Sequence, residues 1–180
     1  RENDMLDLII GYAGKYGTTA GLAARLEQEV RTLAEQNVDR PRTLETRCVP
    51  ARELTAEQLG NTRMVVLGGP IYAGKLPRAL TRFCERNRKA LLARDVGLFI
   101  SSLYQDERAR EQLLNAYPQW LFAHAATAAN LGGKIELAKL KRFDRLLMTR
   151  FAKVENDLDR IDDHRLASFA GELFAHLSRE

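Results

Sequence analysis

Apolar residues follow two spacings along the chain. Short, nearly continuous apolar runs at 5–13, 43–49, 63–69, 95–101 and the Ala-rich 126–131 predict five strands, most of them buried on both faces. Between the strands, apolar positions recur every three to four residues. Leu22, Leu26, Val30 and Leu33 predict one helix, with Thr18 or Thr19 placed to cap it. Pro77 suits a first helical turn, and Leu80, Phe83, Cys84 and Leu91 follow on one face. A helix at 106–116 comes next, then a short one opened by Pro118, then amphipathic helices at 137–154 and 163–178 joined by an acidic turn. Strands alternating with helices predict one doubly wound α/β domain over residues 1–180, its parallel sheet covered on both faces.

Composition narrows the class. The chain has 180 residues, 45% of them hydrophobic, and no run approaches the roughly 18 apolar residues of a membrane span. Its start (Arg1, Glu2, Asn3, Asp4) is not that of a secretory signal, and two cysteines, Cys48 and Cys84, fit a reducing cytoplasm. The net charge of +4 is unevenly spread. Residues 75–94 carry +6 and residues 134–153 carry +5, which leaves −7 on the remainder. An acidic body with two basic segments is not a nucleic-acid binder, and points to anionic partners.

Ligands of open parallel sheets bind beyond the carboxyl ends of the strands. After the first strand stand Gly14, Lys15, Tyr16, Gly17, Thr18 and Thr19, running into a helix. Glycines, successive N–H groups and a helix N-terminus make a phosphate site; an ordinary capped turn is the bland alternative. After the third strand come Pro70, Ile71, Tyr72, Ala73, Gly74 and Lys75. Gly69 to Lys75 mimics a nucleotide-triphosphate loop, but Leu76 stands where magnesium needs a hydroxyl. A stiff loop offering Tyr72 to a planar ring fits better; a surface tyrosine is the alternative. After the fourth strand come Ser101, Ser102, Leu103 and Tyr104. These three loops converge only if the strand order is 2-1-3-4-5.

With those loops in view, the chain resembles the flavodoxin-like FMN-binding proteins, and among them the group that includes menaquinone-dependent protoporphyrinogen oxidase. The resemblance rests on Tyr12 to Thr19, on Gly68 to Gly74, and on Gly132-Gly133, Lys139-Leu140, Phe143-Asp144-Arg145, Lys153, Asp157 and Ile161-Asp162. It implies FMN phosphate on Gly14 to Thr19 and the isoalloxazine ring between Pro70–Gly74 and Ser101–Tyr104. It also implies electron transfer from a porphyrinogen to a quinone, and contact of the 137–154 region with quinone or an anionic membrane on the cytoplasmic side. Gly14 departs from the family, which has Ser or Thr there, and Tyr16 from a frequent Thr. A lost hydroxyl bond to a charged phosphate costs about 1.5–3 kcal/mol, so weaker FMN binding is expected.

The remaining residues read plainly. His124, His164 and His176 share no ligand spacing with each other or with the cysteines, and no metal site is expected. Cys48, Cys84, Trp120 and Phe122 read as packing residues. In 137–154, Leu140, Phe143, Leu147, Phe151 and Val154 line one face and Lys141, Arg142, Arg145 and Arg150 the other. Such a helix either lies on an anionic surface or packs on the sheet with its cations in water. The leading functional expectation is an FMN-dependent oxidoreductase with an anionic small molecule or a quinone as partner, and no residue is singled out as its acid or base. The alternatives are a flavodoxin-type electron carrier, for which an acidic redox protein would be a partner, and an FMN-free binding module.

Overall fold

The computed structural model describes residues 5–150 and 153–179. Along the chain run β1 (Leu6–Tyr12), α1 (Thr18–Glu35), β2 (Thr46–Pro50), α2 (Ala56–Gly60) and β3 (Thr62–Pro70). There follow α3 (Arg78–Arg86), α4 (Arg88–Leu92), β4 (Asp95–Ser101), α5 (Glu107–Ala116), α6 (Gln119–His124) and β5 (Thr127–Asn130). β6 (Lys134–Ile135), α7 (Arg142–Arg150), β7 (Leu158–Asp159) and α8 (Asp163–Leu177) complete the order. The first five strands form one parallel sheet, β2-β1-β3-β4-β5, in the order expected from the loops.

Strand alternation divides the core into two layers. Leu8, Ile10, Met64, Val66 and Phe99 point to one face, where Leu22, Leu26 and Val30 of α1 and Leu166, Phe169 and Leu173 of α8 cover them. Ile9, Val65, Leu67, Val96, Leu98 and Ile100 point to the other, against Leu59, Leu80, Phe83, Leu91 and Leu121. At the sheet centre, Phe99 fills the space that a side chain at Gly68 would occupy. A Cβ on Gly68 would lie 1.9–2.4 Å from three atoms of that ring. The buried Tyr117 hydroxyl lies 2.7 Å from the Phe99 carbonyl and 3.0 Å from that of Leu67, bridging β4 and β3.

Four local expectations need correction. The helix after Pro77 breaks at Asn87, whose side-chain amide donates to the Phe83 carbonyl at 2.9 Å and competes with the helix ladder. The segment 155–163 is more than a turn, because β7 pairs antiparallel with β6. The helix expected over 137–154 is a 3-10 turn at Leu137–Lys139 followed by the separate α7. α7 buries no residue: Phe143 is 69% exposed, Leu146 and Leu147 are also exposed, and Phe151 lies outside the described residues. Packing on the sheet is therefore excluded for α7. Finally, α2 was not anticipated, although Thr55 and Gln58 form a full capping box at its start.

α3 runs against local helix preferences. Its N-cap is Pro77, with no side-chain bond, and its first turn holds no acid. Arg78 sits there against the helix dipole, and Arg78, Arg82 and Arg86 repel at four-residue spacing by about 0.2–0.5 kcal/mol per pair. Burial of Leu80, Phe83 and Cys84 holds the helix in place.

Gly68→Ala should destabilise the fold by about 1–3 kcal/mol in urea unfolding, as overpacked cores do. Phe99→Leu in the same chain should recover part of that loss; additive effects would show that the two positions do not compete for space.

Candidate functional site

The loops leaving β1, β3 and β4 border one cleft of about 1280 Å³, and the β6–β7 region and α7 close its far side. All the expected loop residues except Gly17 line it: Gly14, Lys15, Tyr16, Thr18 and Thr19; Pro70, Ile71, Tyr72, Ala73 and Gly74; Ser101, Ser102, Leu103 and Tyr104. Gly17 stands beside it as the N-cap of α1.

In the first loop, Gly14 has φ +154° and Gly17 φ +85°, backbone that side chains rarely adopt. A hydroxyl side chain at position 14 would thus require a different loop. Neither expected threonine caps α1, because the N-cap has no side-chain bond and the first turn holds no acid. Thr18 Oγ1 donates instead to the Lys134 carbonyl at 3.4 Å. Thr19 is buried, and among the described residues its Oγ1 has no hydrogen-bond partner. A free helix N-terminus with an orphaned buried hydroxyl beside it suits an anion.

The other two loops form the opposite wall. Tyr72 and Lys75 exchange backbone bonds of 2.9 and 3.0 Å around Ala73 (φ 48°) and Gly74 (φ 77°), a tight turn whose twist requires positive φ at both central residues. Tyr72 is half-buried, and burial raises its hydroxyl pKa to about 12, so it stays neutral. The Ser101–Tyr104 loop is held from outside by Asn130. Its Oδ1 accepts from Ser102 N at 3.2 Å and Gly132 N at 3.1 Å, and its amide donates to the Tyr104 carbonyl at 3.0 Å. Arg160 donates to the Leu103 carbonyl at 2.8 Å, and the Arg108 guanidinium lies 5.5 Å from the Tyr104 ring centre. Sequence reading overlooked both Asn130 and Arg160. A polar residue closing an Ala-rich strand was the one signal for Asn130; nothing local marked Arg160.

α7 is tied to the first loop. Tyr16 OH donates to the Asp144 carboxylate, Lys141 N donates to Tyr16 OH at 3.3 Å, and Lys15 Nζ lies 3.6 Å from Asp144. The Tyr16 bond holds the Asp144 carboxyl below the usual aspartate range, aided by the Lys15 charge. Burial and the same bond raise the Tyr16 hydroxyl. Lys15 therefore faces Asp144 as well as the loop. The basic 134–153 segment is also partly neutralised from within, since Glu136 pairs with Lys134 at 3.2 Å and Lys139 at 2.6 Å.

A depressed carboxyl stabilises the native state above its unfolded pKa, and that contribution disappears as pH falls through the folded value. The α7 tether should therefore hold at neutral pH and loosen below the ordinary aspartate range. In Asp144→Asn, backbone amide exchange in α7 should be faster at neutral pH and the acid-dependent loosening should vanish; unchanged exchange would show that other contacts carry α7.

The Flavodoxin domain family matches residues 9–162. No curated protein sequence matches the chain. Among solved structures, two-electron reduced Megasphaera elsdenii flavodoxin is similar at 12% identity with a TM-score of 0.56, over 93% of this chain and 98% of that one. A flavodoxin from the domain Archaea is similar at 9% identity and TM-score 0.54, over 97% of this chain and all of the other. The NADH:FMN oxidoreductase EmoB in apo form is similar at 10% identity and TM-score 0.57, over 96% of this chain and 88% of its own. At these identities the likeness is one of fold. Matched by the family over most of its length, with the strand order and the cleft described above, the chain belongs to the Flavodoxin domain family.

Proposed function

We propose that the chain is an FMN-dependent flavoprotein oxidoreductase. FMN is the cofactor of the flavodoxin family, and the residues around the cleft fit it. The observation that carries the reading is the unpartnered Thr19 hydroxyl, buried beneath the uncapped start of α1 on the cleft wall. Backbone N–H groups of 14–19 and the Thr18 and Thr19 hydroxyls would hold the phosphate. The ring would lie between the Ile71–Gly74 turn and Ser101–Tyr104, with Tyr72 and Tyr104 beside it. Bound FMN would take up two electrons from a reduced substrate and pass them to an acceptor; the protein supplies position, water exclusion and electrostatics.

A finer reading is an oxidase resembling the protoporphyrinogen and quinone enzymes. The cleft volume supports it, being larger than the usual 300–1,000 Å³ of a single small-ligand pocket. Leu140, Leu147, Met148 and Val154 make its outer wall apolar, with Lys153 and Arg108 at hand for carboxylates. The exposed Phe143, Leu146 and Leu147 among Arg142, Arg145 and Arg150 fit an anionic membrane interface. Among the described residues no helix is long and apolar enough to cross a membrane. A carrier role is supported by the near-complete coverage of small flavodoxins.

The purified chain should take up FMN and turn yellow, and a colourless chain that takes up none would overturn the assignment. Thr19→Val should weaken FMN by about 1.5–3 kcal/mol, roughly ten- to a hundredfold in Kd by fluorescence quenching, while folding normally. The enzyme and carrier roles separate on electrochemistry and turnover. Direct anaerobic two-electron turnover of protoporphyrinogen with a quinone marks the enzyme. Two well-separated one-electron potentials without such turnover mark the carrier.

A further inference from the structure

We propose that the stripe formed by Arg78, Arg82 and Arg86 of α3 with Lys75 before it and Lys89 after it is a docking surface for an acidic protein, one that exchanges electrons with this flavoprotein. The choice of an electron-carrying partner rests on the FMN reading; the surface itself does not.

Helical spacing builds the centre of the stripe. Steps of four residues put Arg78, Arg82 and Arg86 on one side of α3, opposite the buried Leu80, Phe83 and Cys84; Lys75 in the preceding turn and Lys89 on α4 flank them, and all five cations are exposed. Among the described residues, none of the five side chains has an ion-pair or hydrogen-bond partner. Several cations elsewhere are paired: Lys15 with Asp144, Arg25 with Asp163, Arg63 with Asp7, Arg165 with Glu172, and Lys134 and Lys139 with Glu136. The acid within α3, Glu85, accepts from Trp120 Nε1 at 3.0 Å, and Arg88 lies over the same indole. That carboxylate makes no ion pair with the stripe among the described residues.

The charges also act against their own helix. Arg78 opposes the dipole at the first turn, and the four-residue spacing sets like charges side by side. Arg86, in the last turn, suits the dipole, so the local cost lies at Arg78 and in the like-charge spacing, a departure of the kind found at functional surfaces. Position supports the same conclusion. Lys75 closes the Tyr72–Lys75 turn that walls the cleft, so the stripe begins at the ring-side loop and runs down the outside of the domain.

The chemistry of the surface selects its partner. No large apolar residue is exposed from Ala73 to Leu91, whereas α7 exposes Phe143, Leu146 and Leu147 among its arginines. An interfacial lipid contact needs both charge and an apolar face, which α7 has and α3 lacks. A polyanionic nucleic acid would meet the remaining acidic body of the chain. Electron-transfer encounters are small, polar, transient and steered by charge, which suits a stripe of this kind.

The test uses the full FMN-loaded chain and three probes: an acidic plant-type [2Fe–2S] ferredoxin, phosphatidylglycerol vesicles and a single-stranded oligonucleotide. The ferredoxin should bind at low salt, with amide shifts on 72–89 that fade as salt rises. Arg78→Gln, Arg82→Gln and Arg86→Gln together should weaken that binding by about tenfold or more, whereas the three Arg→Lys changes should largely retain it. FMN uptake should be equal in all three proteins. Absence of ferredoxin binding, binding that the Gln variant leaves intact, or shifts confined to α7 would overturn the proposal. Engagement of the stripe by vesicles or oligonucleotide in preference to ferredoxin would overturn it too. Loss of FMN uptake by the wild-type chain, with ferredoxin docking still mapped to α3, would overturn the flavin reading and uphold the surface.

Discussion

Winding changes direction at β1: the chain first steps outward to β2, then crosses back to β3, β4 and β5. Right-handed crossovers then place α1 and α8 on one face of the sheet and α3 to α6 on the other. The loops leaving β1 and β3 depart to opposite faces, and the sheet edge between them is left open. Both faces are closed by apolar side chains, so backbone polar groups can meet a ligand only along this edge. The uncapped start of α1, the Tyr72–Lys75 turn and the Ser101–Tyr104 loop all owe their meeting to that single change of direction.

The opening is then narrowed by residues after β5. Arg160 reaches the Leu103 carbonyl, Lys134 offers its carbonyl to Thr18, and Asp144 takes the Tyr16 hydroxyl. Two of the three loops are thereby referred to one C-terminal segment. In the same segment Glu136 pairs with Lys134 and Lys139, and Asp144 pairs with Lys15 of the first loop, so its two acids are engaged in ion pairs. In the segment around α3 the one acid, Glu85, accepts from Trp120 and makes no ion pair with the stripe among the described residues. Two basic stretches of similar count are thus physically different surfaces.

What the sequence disclosed, and what it hid, follows from the range of the interactions. Strands β1, β3 and β4 are buried on both faces, so their apolar runs are continuous and easy to read, and the glycines at their ends mark the loops. The two-residue β6 and β7 are too short for any period and are defined only by each other. α7 is tied to the first loop by a contact between Tyr16 and Asp144, 128 residues apart, and exposes Phe143, Leu146 and Leu147; periodicity alone left open whether that apolar face packs on the sheet or meets a surface. Asn130 works through three backbone groups, none of which leaves a trace in composition. The capping box at Thr55 and Gln58 was legible and simply brief.

Gly68 shows how such a fold can mislead later comparison. It lies two residues before the end of β3, next to a glycine-rich loop, where any alignment of relatives would suggest a ligand-facing position. Its lack of a side chain answers to Phe99 on the neighbouring strand. An invariant glycine there would record a packing partner in the core. Variation at position 68 should therefore follow the size of residue 99, whatever cofactor or substrate each relative uses.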